Sequence, residues 1–137
     1  MIALHACDTA TDHALATGIL AGAAVILSSP CCHKQLRPQI ELPQVLRPML
    51  LHGIHLAQEA EMLTDSLRAL LLEAHGYDAQ VFEFISLEHT SKNKMILAVR
   101  RRQPLPAARH QALLDEIARI KAFYGVKELC LEDLLEA

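Results

Sequence analysis

Three short stretches of this chain concentrate side chains that can move protons, bind metals or line a polar site. They are His5-Ala6-Cys7-Asp8-Thr9, Cys31-Cys32-His33-Lys34, and Glu88-His89-Thr90 with Lys92 and Asn93 close behind. His5 and Asp8 are the proton-transfer candidates, because an imidazole or a carboxylate can take or orient a proton near neutral pH when its surroundings tune it. Asp8 and Thr9 also have a plainer role open to them, as caps of a following helix. Cys31, Cys32 and His33 offer an acceptor-side wall with hydrogen-bond donors, or simply small residues that finish a strand. Glu88, His89, Thr90 and Asn93 read either as acceptor contacts or as a solvated hairpin turn. His5, Cys7, Cys31, Cys32 and His33 supply soft ligands enough for one zinc ion. Adjacent cysteines are expected to point apart, however, and the spacing fits no common zinc template, so no metal ligand is assigned.

The elements that must hold these clusters follow from hydrophobic pattern and punctuation. Ile2-Ala3-Leu4 is a short apolar strand that ends in the first cluster. Thr11 or Asp12 is expected to cap a helix running to about Leu20, with Gly22 ending it. Ala23 to Leu27 is a continuous apolar run, which predicts a strand buried on both faces and stopped by Ser28-Ser29-Pro30. Pro38, Pro43 and Pro48 exclude a long straight helix between Gln35 and His52. From about His55 to His75 the apolar residues Ala60, Leu63, Leu67, Leu70, Leu71 and Ala74 recur at helical spacing, and Gly76 fits a left-handed C-cap. Tyr77 to Leu87 and Met95 to Val99 read as strands, and the short loop between them requires an antiparallel pair. Pro104 and Pro106 mark a linker. An amphipathic helix from Ala107 to Tyr124 follows, capped by Gly125, with a last helical turn or two over Leu129 to Leu135.

Strand, helix, strand, helix, strand, strand, helix is the order of an open α/β sheet with helices on its faces. Crossovers of helical length imply that the first three strands run parallel, and the reversed last strand is expected inside the sheet. Ligands of such sheets bind at the carboxyl ends of the parallel strands. All three polar clusters fall at that edge, which is the physical argument for a functional site. Residues 1–103 would form this domain and residues 104–137 a helical extension packed on it.

The 137 residues, 52% hydrophobic and 21% charged, suit one small globular domain. Four cysteines, two of them adjacent, do not form a secreted disulfide framework, and reduced thiols in a cytoplasmic protein are the simpler account. The apolar start has no basic leader and contains Asp8 and Asp12, which excludes a signal peptide, and no apolar run is long enough to span a membrane. A net charge of −3 argues against general coating of nucleic acid, although Arg100, Arg101 and Arg102 form a local basic patch near Lys92 and Lys94. Its usual reading is a solvated surface.

The run Leu4 to Asp12 (Leu-His-Ala-Cys-Asp-Thr-Ala-Thr-Asp), together with Pro30-Cys31-Cys32-His33-Lys34 and Glu88-His89-Thr90 with Lys92-Asn93, resembles a group of class I methyltransferase domains. That group includes the methyltransferase-like protein 25 relatives and the domain at the end of glutathione S-transferase C-terminal domain-containing protein. More distantly, the tRNA acceptor-stem 2′-O-methyltransferases are similar. The resemblance implies the fourth to seventh strands of a seven-stranded S-adenosylmethionine-binding sheet, with the reversed strand inserted between its neighbours. It places His5, Asp8, Cys31, Cys32 and His33 at the reacting centre, Ala6 and Cys7 beside the cofactor, and Glu88, His89, Thr90 and Asn93 on the acceptor. The family's glycine-rich turn and ribose-binding acid have no counterpart, so this chain alone is expected to bind the cofactor weakly or not at all and to be inactive. The other function open to it is a non-catalytic module that forms a homodimer through its bare sheet edge. RNA or a protein is the expected acceptor class, with a small molecule also open and no membrane partner.

Overall fold

The computed structural model describes residues 1–4, 6–84 and 94–137. Strand β1 (Ile2–Leu4) leads into helix α1 (Thr9–Leu20) and strand β2 (Val25–Ser29). A single 3-10 turn at Arg37–Gln39 and the short helix α2 (Arg47–Leu50) fill the proline-rich stretch. Then come helix α3 (Gly53–Ala74), strands β3 (Tyr77–Glu83) and β4 (Lys94–Arg100), and helices α4 (Ala107–Tyr124) and α5 (Cys130–Glu136). Gly76 and Gly125 take the positive φ values, 91° and 70°, that end α3 and α4 in left-handed turns.

The sheet order is β1-β2-β4-β3. β1 and β2 are parallel, while β4 runs against both β2 and β3 and sits between them, as the apolar Met95 to Val99 segment requires. β2 and β3 therefore share a direction without touching.

β2 lies two residues later than its apolar run suggests. The turn after α1 consumes Ala23, whose N–H bonds back to Gly18, and Ser28 and Ser29 are drawn into the ladder opposite Ala3 and Leu4. α1 begins at Thr9, earlier than a cap at Thr11 or Asp12 would allow. Thr11 instead donates its hydroxyl to the Ala6 carbonyl at 2.7 Å, and Asp12 is buried in an ion pair. Asp8 occupies the N-cap position without making a side-chain cap bond.

One face of the sheet is covered. Ile26, Ile96, Ala98 and Tyr77 on that face pack with Leu15 of α1, Leu63, Leu67, Leu71 and Leu72 of α3, Ile117 of α4, and Leu129 and Leu131 near α5 in one cluster. Gly18 lets α1 come close, since a β-carbon there would stand 2.8 Å from the Ile26 side chain. The strand expected to be buried on both faces is buried on one. Register puts Ile2, Leu27 and Leu97 side by side on the opposite face, with Val25 across from Val99. Ile2 is 69% exposed, Leu4 56% and Val25 44%, because no helix among the described residues lies over them. No helix there is long and apolar enough to cross a membrane.

Candidate functional site

Leu4 pairs with Ser29, so the chain leaves both parallel strands at the same edge. Neighbouring strands lie about 5 Å apart, which sets the Ala6–Asp8 corner against Pro30–Cys32. Asp8 adopts φ 49° and ψ −121°, the first central position of a type II′ turn, where glycine is usual. A non-glycine residue in so sparse a region costs on the order of 1–3 kcal/mol and persists only where its surroundings fix it.

The surroundings do so from below. Arg68 of α3 is fully buried and donates to the Asp8 carbonyl at 2.9 Å. The same guanidinium forks onto Asp12, Nε to Oδ1 at 2.8 Å and Nη2 to Oδ2 at 3.0 Å, and its Nη1 donates to Asp65 at 3.2 Å. Burial opposes the Arg68 charge, but its hydrogen bonds and charge pairing with Asp12, and then Asp65, outweigh that and hold its pKa above the ordinary value. Asp65 Oδ1 also meets His33 Nε2 at 3.0 Å. The Asp8 carboxylate accepts the Gln35 N–H at 3.0 Å and so ties the first corner to the chain beyond the second. His33 Nδ1 and Asp65 Oδ2 are buried without a hydrogen-bond partner among the described residues.

Above this network lie three thiols. Cys7 is exposed, Cys31 and Cys32 are half-buried, and their sulfur atoms all fall within 4.8 Å of one another, Cys7 and Cys31 at 2.8 Å. Hydrogen bonding from Cys31 and then Cys32 holds the Cys7 thiol below the usual range, with Lys34 helping and slight burial and Asp8 opposing. Cys31 moves the other way, pushed up to about 12 by its bond to Cys7 and then by burial. The two shifts run in opposite directions, so the exposed Cys7 is the thiol of this pair that ionises first.

The structure brings Cys7, Asp8, Cys31 and Cys32 to one edge and turns His33 inward, where it is 7% exposed. The Ala6 carbonyl accepts from Thr11 at 2.7 Å and lies 3.8 Å from the Cys31 sulfur. His5, Glu88, His89, Thr90 and Asn93 lie outside the described residues. A cavity of about 170 Å³ opens beside the corner, lined by Cys32, His33, Lys34, Arg37, Ala57 and Ala60. A larger one of about 510 Å³ lies at the far edge, against Arg100 to Arg102, His75 and His110. Two of those arginines are already engaged, Arg100 with the Gly22 carbonyl and Arg101 with Asp78. The reversed direction of β4 puts this patch at the opposite end of the sheet from the thiols.

Asp12, Asp65 and Arg68 did not stand out in the sequence as site residues. Their signal is Asp65 and Arg68, three apart, in the same turns of α3 as the buried Leu63, Leu67 and Leu71. A buried cation needs buried carboxylates, and Asp12 lies on the helix just after the first cluster.

Comparison with known proteins bears on this same edge. Residues 1–39 match a family model described as a methyltransferase domain. The matched stretch holds β1, the Asp8 corner, α1, β2 and all three clustered thiols. No curated protein and no solved structure matches the chain.

Proposed function

We propose that this chain carries the acceptor side of an S-adenosylmethionine-dependent methyltransferase domain, with the methyl acceptor seated over Cys7, Asp8, Cys31 and Cys32. The observation that carries the reading is the coincidence of the methyltransferase-domain match with the strained, polar corner at the ends of two parallel strands. Ligands of α/β sheets bind at that edge. Asp8 is the residue best placed to orient an acceptor or take its proton, since its corner is held rigidly by Arg68 and Gln35. His5 would assist it, and Ala6 and Cys7 would lie along the cofactor. Glu88, His89, Thr90 and Asn93, between β3 and β4 in the sequence, would be the acceptor-binding residues.

On this reading the chain does not grip the cofactor by itself. None of its five glycines forms the Gly-x-Gly of a nucleotide-binding turn. The bare apolar face of the sheet, with Ile2, Leu4, Val25 and Val99 exposed, fits a surface that cofactor-holding structure covers. Similarity to the methyltransferase-like protein 25 group, and more distantly to tRNA acceptor-stem 2′-O-methyltransferases, makes RNA the first acceptor class to try. The work would be cytoplasmic, in keeping with reduced thiols.

The test uses S-adenosylmethionine with a labelled methyl group and total RNA or total protein as acceptor pools. The chain alone is expected to transfer no label. Joined to the glycine-rich, cofactor-binding strands of a protein with the same family domain, it is expected to label one pool, and Asp8→Ala should lower that rate about a hundredfold. A joined protein that folds and binds cofactor yet labels neither pool would refute the reading.

A second reading draws on the same bare face and on β1, a three-residue strand that among the described residues pairs only with β2. Here the chain is a non-catalytic module that pairs with a second copy. A monomer at micromolar concentration on a sizing column would count against it.

A further inference from the structure

The three clustered thiols line the proposed acceptor seat without a chemical step of their own, and their mutual arrangement, a separate observation, supports a second conclusion. Cys31 and Cys32 follow β2 in irregular chain, so the alternation that sends neighbouring strand side chains to opposite faces does not apply to them. Both sulfur atoms lie within 4.8 Å of Cys7, which arrives from a different loop. A tetrahedral zinc ion with Zn–S bonds of about 2.3 Å needs its sulfurs about 3.8 Å apart. All three sulfurs lie within 4.8 Å of one another, and the Cys7–Cys31 pair, at 2.8 Å, must move apart for an ion to enter. Cys7 is exposed, and a change of its side-chain rotamer is the movement that would open this pair.

We propose that Cys7, Cys31 and Cys32 form a three-thiolate site for zinc(II), with the fourth position open to solvent. Three protein ligands and one open position is the pattern of zinc sites that take an exogenous ligand, whereas purely structural sites close all four. The exposure of Cys7 leaves the ion accessible from outside. Three thiolates and a divalent cation carry a net single negative charge, with Lys34 and Asp8 acting on the cluster in opposite senses. A disulfide would use two of the thiols and leave the third without a role. His33 is not part of the set: its Nε2 faces Asp65, and neither ring nitrogen falls within the 4.8 Å span that gathers the three sulfurs.

The experiment strips the full chain with a chelator, reduces it, and titrates zinc against a chromophoric chelator, with cobalt(II) as a spectroscopic stand-in. One equivalent of zinc should bind, and cobalt should give an intense thiolate-to-metal charge-transfer band with the visible absorption of a tetrahedral ion. Cys7→Ser and Cys32→Ser should each lose the band and the stoichiometric equivalent, while Cys130→Ser keeps both. Cys7 is exposed, so its variant is expected to keep the parent's circular dichroism and melting curve, which separates lost binding from lost folding. Absence of uptake, or uptake unchanged in Cys7→Ser and Cys32→Ser, would overturn the proposal. So would a Cys7–Cys31 disulfide, formed with oxidised glutathione as the two-electron acceptor, in protein that takes up no metal beforehand. Cofactor titrations report on the methyltransferase reading separately, so either can fail without the other.

Discussion

At Cys7 the fold favours the reactive form, because two neighbouring thiols stabilise its ionised state. The thiolate is the reactive species, so a lowered pKa means alkylation that persists to lower pH than at an ordinary cysteine. In reduced, metal-free protein at neutral pH, iodoacetamide should modify Cys7 before Cys31 and Cys130, as read by peptide mass mapping. Cys31, pushed up to about 12, and Cys130, raised by burial, should lag. Equal rates at all three would contradict the thiol–thiol hydrogen bonding that lowers Cys7. Residue types announced this site, since His, Cys and Asp gathered at expected strand ends. Which sulfurs meet was hidden, because it depends on how irregular chain after β2 turns Cys31 and Cys32, and periodicity does not speak to irregular chain.

At the scale of elements, α3 holds the site in place through Arg68. Replacing this residue with Met removes the only cation that the described side chains give Asp12 and leaves two carboxylates buried. Breaking a buried ion pair from one side typically costs about 3–5 kcal/mol. Arg68→Met is therefore expected to lose about that much in denaturant unfolding, and Arg109→Met, on an exposed pair at 3.7 Å with Glu73, much less. Equal losses would mean the buried network does not hold the corner. The helices and strands were largely legible, since Gly76, Gly125 and the prolines punctuate them. The start of α1 was not. Thr11 and Asp12 look like caps in a sequence, but their oxygens are committed to Ala6 and Arg68 by contacts made across 5 and 56 residues. Long-range partners of this kind leave no local trace.

For the whole molecule, the sheet is covered on one face and bare on the other, and the reversed β4 sits where the apolar pattern required. The expectation of a strand buried on both faces came from the sound rule that continuous apolar runs lie inside sheets. Its partial failure at Val25 is informative, because the residues for the second layer are apolar while the layer itself is not among the described elements. This asymmetry and the methyltransferase-domain match over residues 1–39 together form the central claim, an acceptor-side site without its own cofactor grip. Calorimetric titration of S-adenosylhomocysteine into the chain as it stands tests that claim most directly. No resolvable heat of binding is expected. Micromolar binding would contradict the claim, by placing a complete cofactor pocket within these 137 residues.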